Sequence, residues 1–368
     1  MLIGARQCLC TANMPIRELN EPATGRVAIP SAGLPCKQVE CAVMSRIEQR
    51  RAMITGMVAA VLAAPSIVGC SRQAGHGGET VLRVGDQRGQ TRSLLEAAGE
   101  LTGVPYRIEW AIFAVGAPLI EAMKAGAVDF GYVGSSTMTF GLAARAPLKA
   151  ITTWRMHGAG SGLLVGANSP IRSIADLRGK RIAIVRGSPG HLLVARALRS
   201  ARVPIDAVTL LNLAPGDAKA ALASGSVDAW AIWDPYLAIG EREDHLRVIA
   251  TSEQFGGEIE TGVATDDVIA TKRAALLDFL GRVRRGYGWA ERHPEEFARA
   301  FARDTGLPLD IARLVKSRIH VKVEPRISDA AVAEHQRAAD VYADIGVIPR
   351  RLDVASVYDR SFVLPAAS

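Results

Sequence analysis

Polar side chains gather at four places in this 368-residue chain where an apolar run gives way to a turn. Asp86-Gln87-Arg88-Gly89 closes a strand read over Val81–Gly85. Ser135-Ser136-Thr137 sets hydroxyls and backbone N–H groups at the start of a helix read over Met138–Ala144. Arg186-Gly187-Ser188-Pro189-Gly190-His191 turns into a helix read over Leu192–Ala201, and Trp233-Asp234-Pro235-Tyr236 closes the strand that begins at Val227. These are donors, caps and aromatic surfaces, and they lack the company that covalent chemistry needs. All five cysteines (Cys8, Cys10, Cys36, Cys41, Cys70) lie in the first 70 residues, so the body of the chain has no thiolate nucleophile, disulfide or Cys-held metal. The seven histidines have no metal-ligand spacing, and Ser188 and His191 have no evident acidic partner. Neither a Gly-x-Ser-x-Gly elbow nor a Walker loop is present. The sequence points to binding without catalysis, with no metal and no cofactor.

Two of these turns follow related passages. Gly126, Val128 and Asp129 recur as Gly225, Val227 and Asp228 at one constant offset without a gap, each set between a helix and an apolar strand. Beyond the strands the copies diverge, into Gly134-Ser135-Ser136-Thr137 in one and Trp233-Asp234-Pro235-Tyr236 in the other. Two like-built α/β lobes whose strand ends carry different polar groups imply a cleft with two unlike walls.

Strands and helices alternate from Val81 onward, with strands read at Tyr106–Phe113, Asp129–Val133, Leu148–Thr153, Gly162–Gly166, Arg181–Val185, Ala207–Leu211, Arg247–Ala250 and Gly262–Thr265. Such alternation predicts mainly parallel sheets with ligand at the carboxyl ends of the strands. From Asp266 the chain reads as helical, with fresh starts at Pro294, after Leu307-Pro308 and at Ser328-Asp329. The expected division is lobe 1 over 81–166 and 266–368 and lobe 2 over 167–265. The crossings are placed near Gly166–Asn168 and Thr261–Thr265, and the lobes would close on that hinge.

The start of the chain reads as an address. Met44–Arg51 is basic and Ala52–Val68 is apolar, short and one-sided for a membrane span. Ile67-Val68-Gly69-Cys70 resembles the lipid-attachment box of bacterial lipoproteins. The expectation is a signal peptide over 44–69, lipidation at Cys70, a tether over 70–80, and a non-native or disordered stretch over 1–43 ahead of an initiator at Met44. Removing 1–69 takes away seven basic and four acidic residues and lowers the net charge from +7 to about +4. The remaining excess is scattered Arg with no basic block interleaved with aromatics, which argues against nucleic acid.

Val84–Gly89, Asn168–Ile171 with Asp176-Leu177-Arg178-Gly179-Lys180, Arg186–Ser188 with His191, and above all Asp228-Ala229-Trp230-Ala231-Ile232-Trp233-Asp234-Pro235-Tyr236 carry a resemblance. They are similar, in order and spacing, to the substrate-binding proteins of ABC importers for aliphatic sulfonates, a superfamily that includes carriers of taurine and nitrate. The resemblance covers Val81 to the last helix. It implies an α/β fold like the type II periplasmic binding proteins, and a monomer at the outer face of the cytoplasmic membrane or in the periplasm. Such a protein hands a small organic anion to an ABC permease in sulfur metabolism. Taurine, nitrate and an aromatic or heterocyclic metabolite are the alternative ligands, and an enzyme on the same scaffold ranks below them. Two departures touch the pocket: relatives carry an aromatic at Asp86, and an Asp with prolines at Ser135–Met138.

A sulfonate is an anion that needs donors, and the residues at the predicted turns and helix starts could supply them. Ser135, Ser136, Thr137 and Ser188 lie at helix starts, where free N–H groups and the dipole favour anions. Gly187 and Gly190 would let backbone come close to the ligand, Arg88 would grip an oxyanion in bidentate fashion beside Gln87, and His191 would donate. Trp233 and Tyr236 would cover the organic part, while Trp230 faces the core. Asp234 repels a sulfonate and is expected to cap its helix, unless the ligand carries an amine. Trp154, Arg155 and His157 end a strand that also reaches the cleft.

Overall fold

A computed structural model describes residues 79–365. The expected signal peptide, the lipidation site Cys70 and most of the tether lie outside the described residues. Among the described residues no helix is long and apolar enough to cross a membrane.

The first lobe opens with β1 (Val81–Gln87), α1 (Gln90–Ala97), β2 (Arg107–Phe113), α2 (Gly116–Lys124), β3 (Phe130–Gly134), α3 (Ser135–Ala143) and β4 (Lys149–His157). The second comprises β5 (Ser161–Val165), β6 (Arg181–Ile184), α4 (Pro189–Ser200), β7 (Thr209–Asn212), α5 (Pro215–Ala223), β8 (Ala229–Trp233), α6 (Tyr236–Arg242) and β9 (Arg247–Thr251). After α7 (Ser252–Phe255) the chain rejoins the first sheet as β10 (Ile259–Ala264). It then runs through α8 (Asp266–Arg292), α9 (Pro294–Thr305), α10 (Leu309–Arg318), β11 (His320–Val323) and α11 (Asp329–Asp344).

The six-stranded sheet has the order β11-β4-β10-β3-β1-β2 and the five-stranded sheet β7-β6-β8-β5-β9. In each, the strands joined by helices pair in parallel, β2 and β3 with β1, β7 and β8 with β6. The strands that lead into or out of a crossing pair antiparallel. Both sheets are therefore mixed where simple alternation predicts mainly parallel ones, because the crossing strands arrive without a helical return.

The crossings also lie earlier than the expected Gly166–Asn168 and Thr261–Thr265. The chain leaves the first sheet at Gly158–Gly160 and returns through Gly256–Glu258, so β5 belongs wholly to the second lobe and β10 wholly to the first. Gly158 has a φ of +111°, and a Cβ there would lie 1.8 Å from the Arg318 carbonyl oxygen, so only glycine fits the first crossing.

The duplicated passage proves to be a strand clamp. Asp129, fully buried ahead of β3, accepts from the Arg83 backbone N–H at 2.8 Å and from its guanidinium, and Arg83 also donates to the Gly126 carbonyl. In the second lobe Asp228 accepts from the Arg181 N–H at 2.8 Å, and Arg181 donates to the Gly225 carbonyl at 2.7 Å. Each Asp thus ties a helix end and its own strand to the parallel neighbour. Lys272 adds a 2.6 Å ion pair to Asp129.

Apolar clusters cover both faces of each sheet, Leu82, Phe130 and Phe279 in the first lobe and Leu163, Ile182 and Leu193 in the second among them. The segment after β10, expected with the first lobe, grips both. Leu192 and Ala195 of α4 pack with Ala338, Val341 and Tyr342 of α11, and Ala238 of α6 packs with Phe301, Ile311 and Val315.

Candidate functional site

The carboxyl ends of β1, β3, β6 and β8 face one another across a cleft between the two sheets, with a cavity volume of about 120 Å³. This is where helix-linked parallel strands converge their loops. Gln87, Arg88, Gly134 and Thr137 come from the first lobe, Arg186–Pro189 and Trp233–Pro235 from the second, and both glycine crossings form the back.

Seven of the ten residues chosen from the sequence line this space: Gln87, Arg88, Thr137, Gly187, Ser188, Trp233 and Asp234. Gln87 is held by a 2.8 Å bond from its Nε2 to the Tyr132 carbonyl. Arg88 reaches across the cleft, donates to the Tyr236 hydroxyl and lies 4.6 Å over that ring. Its Nε is buried with no partner among the described residues. Thr137 also bridges the lobes, donating to the Gly187 carbonyl at 2.8 Å. Ser188 caps α4 by accepting the His191 N–H at 3.2 Å. Asp234 accepts the Ala238 N–H at 3.0 Å at the start of α6 and stands 3.6 Å from Arg318. Burial pushes its carboxyl up to about 7, against the pull of Arg318.

Ser135, Ser136 and His191 do not line the cleft. The Ser136 N–H (2.6 Å) and the Ser135 hydroxyl (3.2 Å) both donate to the carboxylate of Glu258. A carboxyl group does sit on the start of α3, but it belongs to the chain itself and comes from the return crossing, far away in sequence. His191 is turned into an aromatic cluster with Phe140 and Tyr342, where its Nδ1 accepts the Gly187 N–H. Burial, helped by Arg186, pushes it down to about 4, so it is neutral. Gly190 brings backbone close to β8 rather than to the cleft: a Cβ there would lie 2.6 Å from the Ala231 carbonyl oxygen. Trp154 lines the cleft floor, and Arg155 is spent on Glu324 and Glu334. The side chain of His157 lies outside what the structure describes.

Sequence reasoning missed the acidic and aromatic floor. Glu260 on β10 is 8% exposed, lines the cleft, and has an Oε2 with no hydrogen-bond partner among the described residues. Burial, with Glu258 nearby, pushes it up to about 8. Tyr132 and Tyr287 stand beside it, their rings flanking Trp154 at centroid distances of 5.6 and 6.3 Å. The signal available was a lone carboxylate in the apolar run Ile259–Ala264, which reads as a strand whatever it faces. Arg186 and Arg196 complete the charged lining. Among the described residues no group of His, Cys, Asp and Glu could hold a metal ion.

Comparison with known proteins places the chain among solute-binding folds. The family model described as NMT1/THI5 like matches residues 115–297. A protein of Escherichia coli strain K12 named for binding aliphatic sulfonates is 29% identical over 277 residues, 74% of this chain and 86% of its own. The alkanesulfonate-binding protein of Xanthomonas axonopodis pv. citri, solved bound to MOPS, superposes with a TM-score of 0.71 at 28% identity. That match covers 77% of this chain and all of the other. A desulfurization enzyme, at 18% identity and a TM-score of 0.54 over 77% of this chain and 97% of its own, shares the fold alone.

Proposed function

From a chain that resembles the aliphatic sulfonate-binding proteins and has the periplasmic-binding-protein fold, we propose an extracytoplasmic solute-binding protein of an ABC importer. It captures a sulfonate or similar small organic anion between its lobes, leaves it chemically unchanged and delivers it to a membrane permease. The lipid on Cys70 holds it at the outer face of that membrane.

One observation carries this reading: the cleft wall formed by the capped start of α4, with Gly187 and Ser188, stands opposite Arg88 on the other lobe. A helix start and a guanidinium on facing walls are what a tetrahedral oxyanion recruits on closure. The contacts already made across the cleft, Arg88 to Tyr236 and Thr137 to Gly187, are those a ligand would reinforce. The absence of a cysteine beyond Cys70 and the lack, among the described residues, of an acidic partner for neutral His191 favour binding over turnover.

Titration calorimetry with butane-1-sulfonate tests this. Saturable binding with one site, and no sulfite released on long incubation, is the expected result. No heat and no thermal stabilisation with any sulfonate would refute it.

A further inference from the structure

The cleft is bipolar. Its lining carries Arg88, Arg186 and Arg196, and also Asp234, Glu258 and Glu260. Most of these are occupied: Arg196 donates to the Gly256 and Gly257 carbonyls, Asp234 caps α6, and Glu258 holds the start of α3. Asp234 and Glu258 each keep one buried oxygen without a partner among the described residues while the other is engaged. Glu260 is more than nine-tenths buried, faces the cleft, and has an oxygen with nothing bonded to it among the described residues. The Tyr132 hydroxyl beside it is likewise buried without a partner. A carboxylate set among Tyr132, Trp154 and Tyr287 repels an anion but suits a cation, through charge and through the negative faces of the rings.

We propose that the floor formed by Glu260, Tyr132, Trp154 and Tyr287 receives a cationic nitrogen, so that the solute is a zwitterion with an ammonium at one end and a sulfonate or similar anion at the other. This rests on the reading above, which supplies the anionic end at α4 and Arg88. The cationic floor belongs to the first lobe and α4 to the second, so a ligand bearing both charges links the lobes by its own length. A simple alkanesulfonate would leave the buried carboxyl group without a hydrogen-bond partner, a costly arrangement. The groups facing Glu260 are Glu258 from the same crossing, Tyr132 from β3, Tyr287 from α8 and Asp86 from β1, which interacts through the two tyrosines. Among the described residues none of these is a cation, so a cation at this floor would come from the ligand. An ammonium bound there draws the carboxyl into its ionised form and releases a proton.

The test compares 3-aminopropane-1-sulfonate with butane-1-sulfonate, which differ by an ammonium in place of a methyl, by calorimetry on the purified protein. The expected result is at least tenfold tighter binding of the amine, an advantage that grows from pH 6 to pH 8.5 and falls below twofold in Glu260→Gln. If butane-1-sulfonate binds as tightly at every pH, the cationic floor is refuted while the sulfonate reading stands. If neither binds, both fall. Should Glu260→Gln fail to fold, the wild-type pH profile decides alone: a flat or falling amine advantage overturns the proposal.

Discussion

Gly190→Ala should destabilise the protein although it puts the best helix former into the first turn of a helix. The Cβ would stand 2.6 Å from the Ala231 carbonyl oxygen, 2.8 Å from its carbon and 3.0 Å from the Ile232 nitrogen. All three belong to the backbone of β8, which is hydrogen-bonded to β5 on one side and β6 on the other, so none can yield alone. Relief needs α4 to retreat by roughly 0.7 Å, and overpacking of this kind costs about 1–3 kcal/mol. The helix-propensity gain of Ala over Gly offsets about 0.5–1 kcal/mol of that. The net loss is about 1–2 kcal/mol.

Gly216→Ala is the matched control. It sits at the same place in α5, is exposed, and has nothing within 4 Å of the would-be Cβ, so it keeps only the gain. Urea unfolding of both variants should give midpoints on opposite sides of the wild type, about 0.5 M or more apart for slopes near 3 kcal/mol/M. Because α4 carries Ser188 into the cleft, Gly190→Ala should also weaken ligand binding, which Gly216→Ala leaves alone. Equal midpoints would mean that α4 does not rest on the β8 backbone, and the cleft geometry would be wrong.

The two strand clamps should differ in strength. Asp129→Asn removes a fully buried carboxylate from two cations and should cost about 2–4 kcal/mol, whereas Asp228→Asn, with one exposed partner, should cost under about 1 kcal/mol by urea unfolding. Burial opposes ionisation of Asp129, but Arg83 and Lys272 outweigh it and hold the carboxyl below its usual range. Its contribution is present above pH 4 and is lost as pH falls further, and Asp129→Asn should lose that acid sensitivity. His335, buried between Thr139 and Tyr358, is pushed down to about 4 by burial. The unfolded chain then binds more protons between pH 6.5 and 4, so stability falls as pH drops through that window, by up to about 3 kcal/mol. His335→Gln should flatten this limb of the stability–pH curve, and an unchanged slope would count against it. Tyr236→Phe keeps the ring but deprives Arg88 of its cross-cleft acceptor, at about 1 kcal/mol. A roughly fivefold weaker affinity and a larger radius of gyration by X-ray scattering are expected, and no change in either would refute the bridge.

Much of the scaffold was legible because it depends on local pattern. Apolar runs placed most strands within a residue or two, though β4 runs four residues beyond the expected Thr153 and β10 starts three before the expected Gly262. The repeated Gly, Val and Asp exposed the duplication before the clamp it encodes was visible. What escaped depends on partners distant in the chain. β11 is four residues whose partner strand β4 lies far upstream, and no propensity marks it. The crossings are Gly158–Gly160 and Gly256–Gly257, which read as ordinary loops until the sheets to either side are known. At the site, Ser135 and Ser136 announce a helix start that takes an acceptor, but sequence cannot say whether that acceptor comes from outside or is Glu258. Glu260 hides for the same reason, since its meaning comes from the tyrosines of two other elements.

The last hundred residues constrain how this molecule moves. With Leu192 seated on Tyr342 at one flank and Ala238 on Val315 at the other, the halves are stapled behind the mouth as well as joined by glycines. Pulling those greasy seams apart would expose apolar area at about 25 cal/mol per Å², whereas sliding them lengthwise exposes little. Admission and release should therefore be a shallow shear, not a wide gape, and a docking permease would sense a few ångströms of slip along α4 and α6.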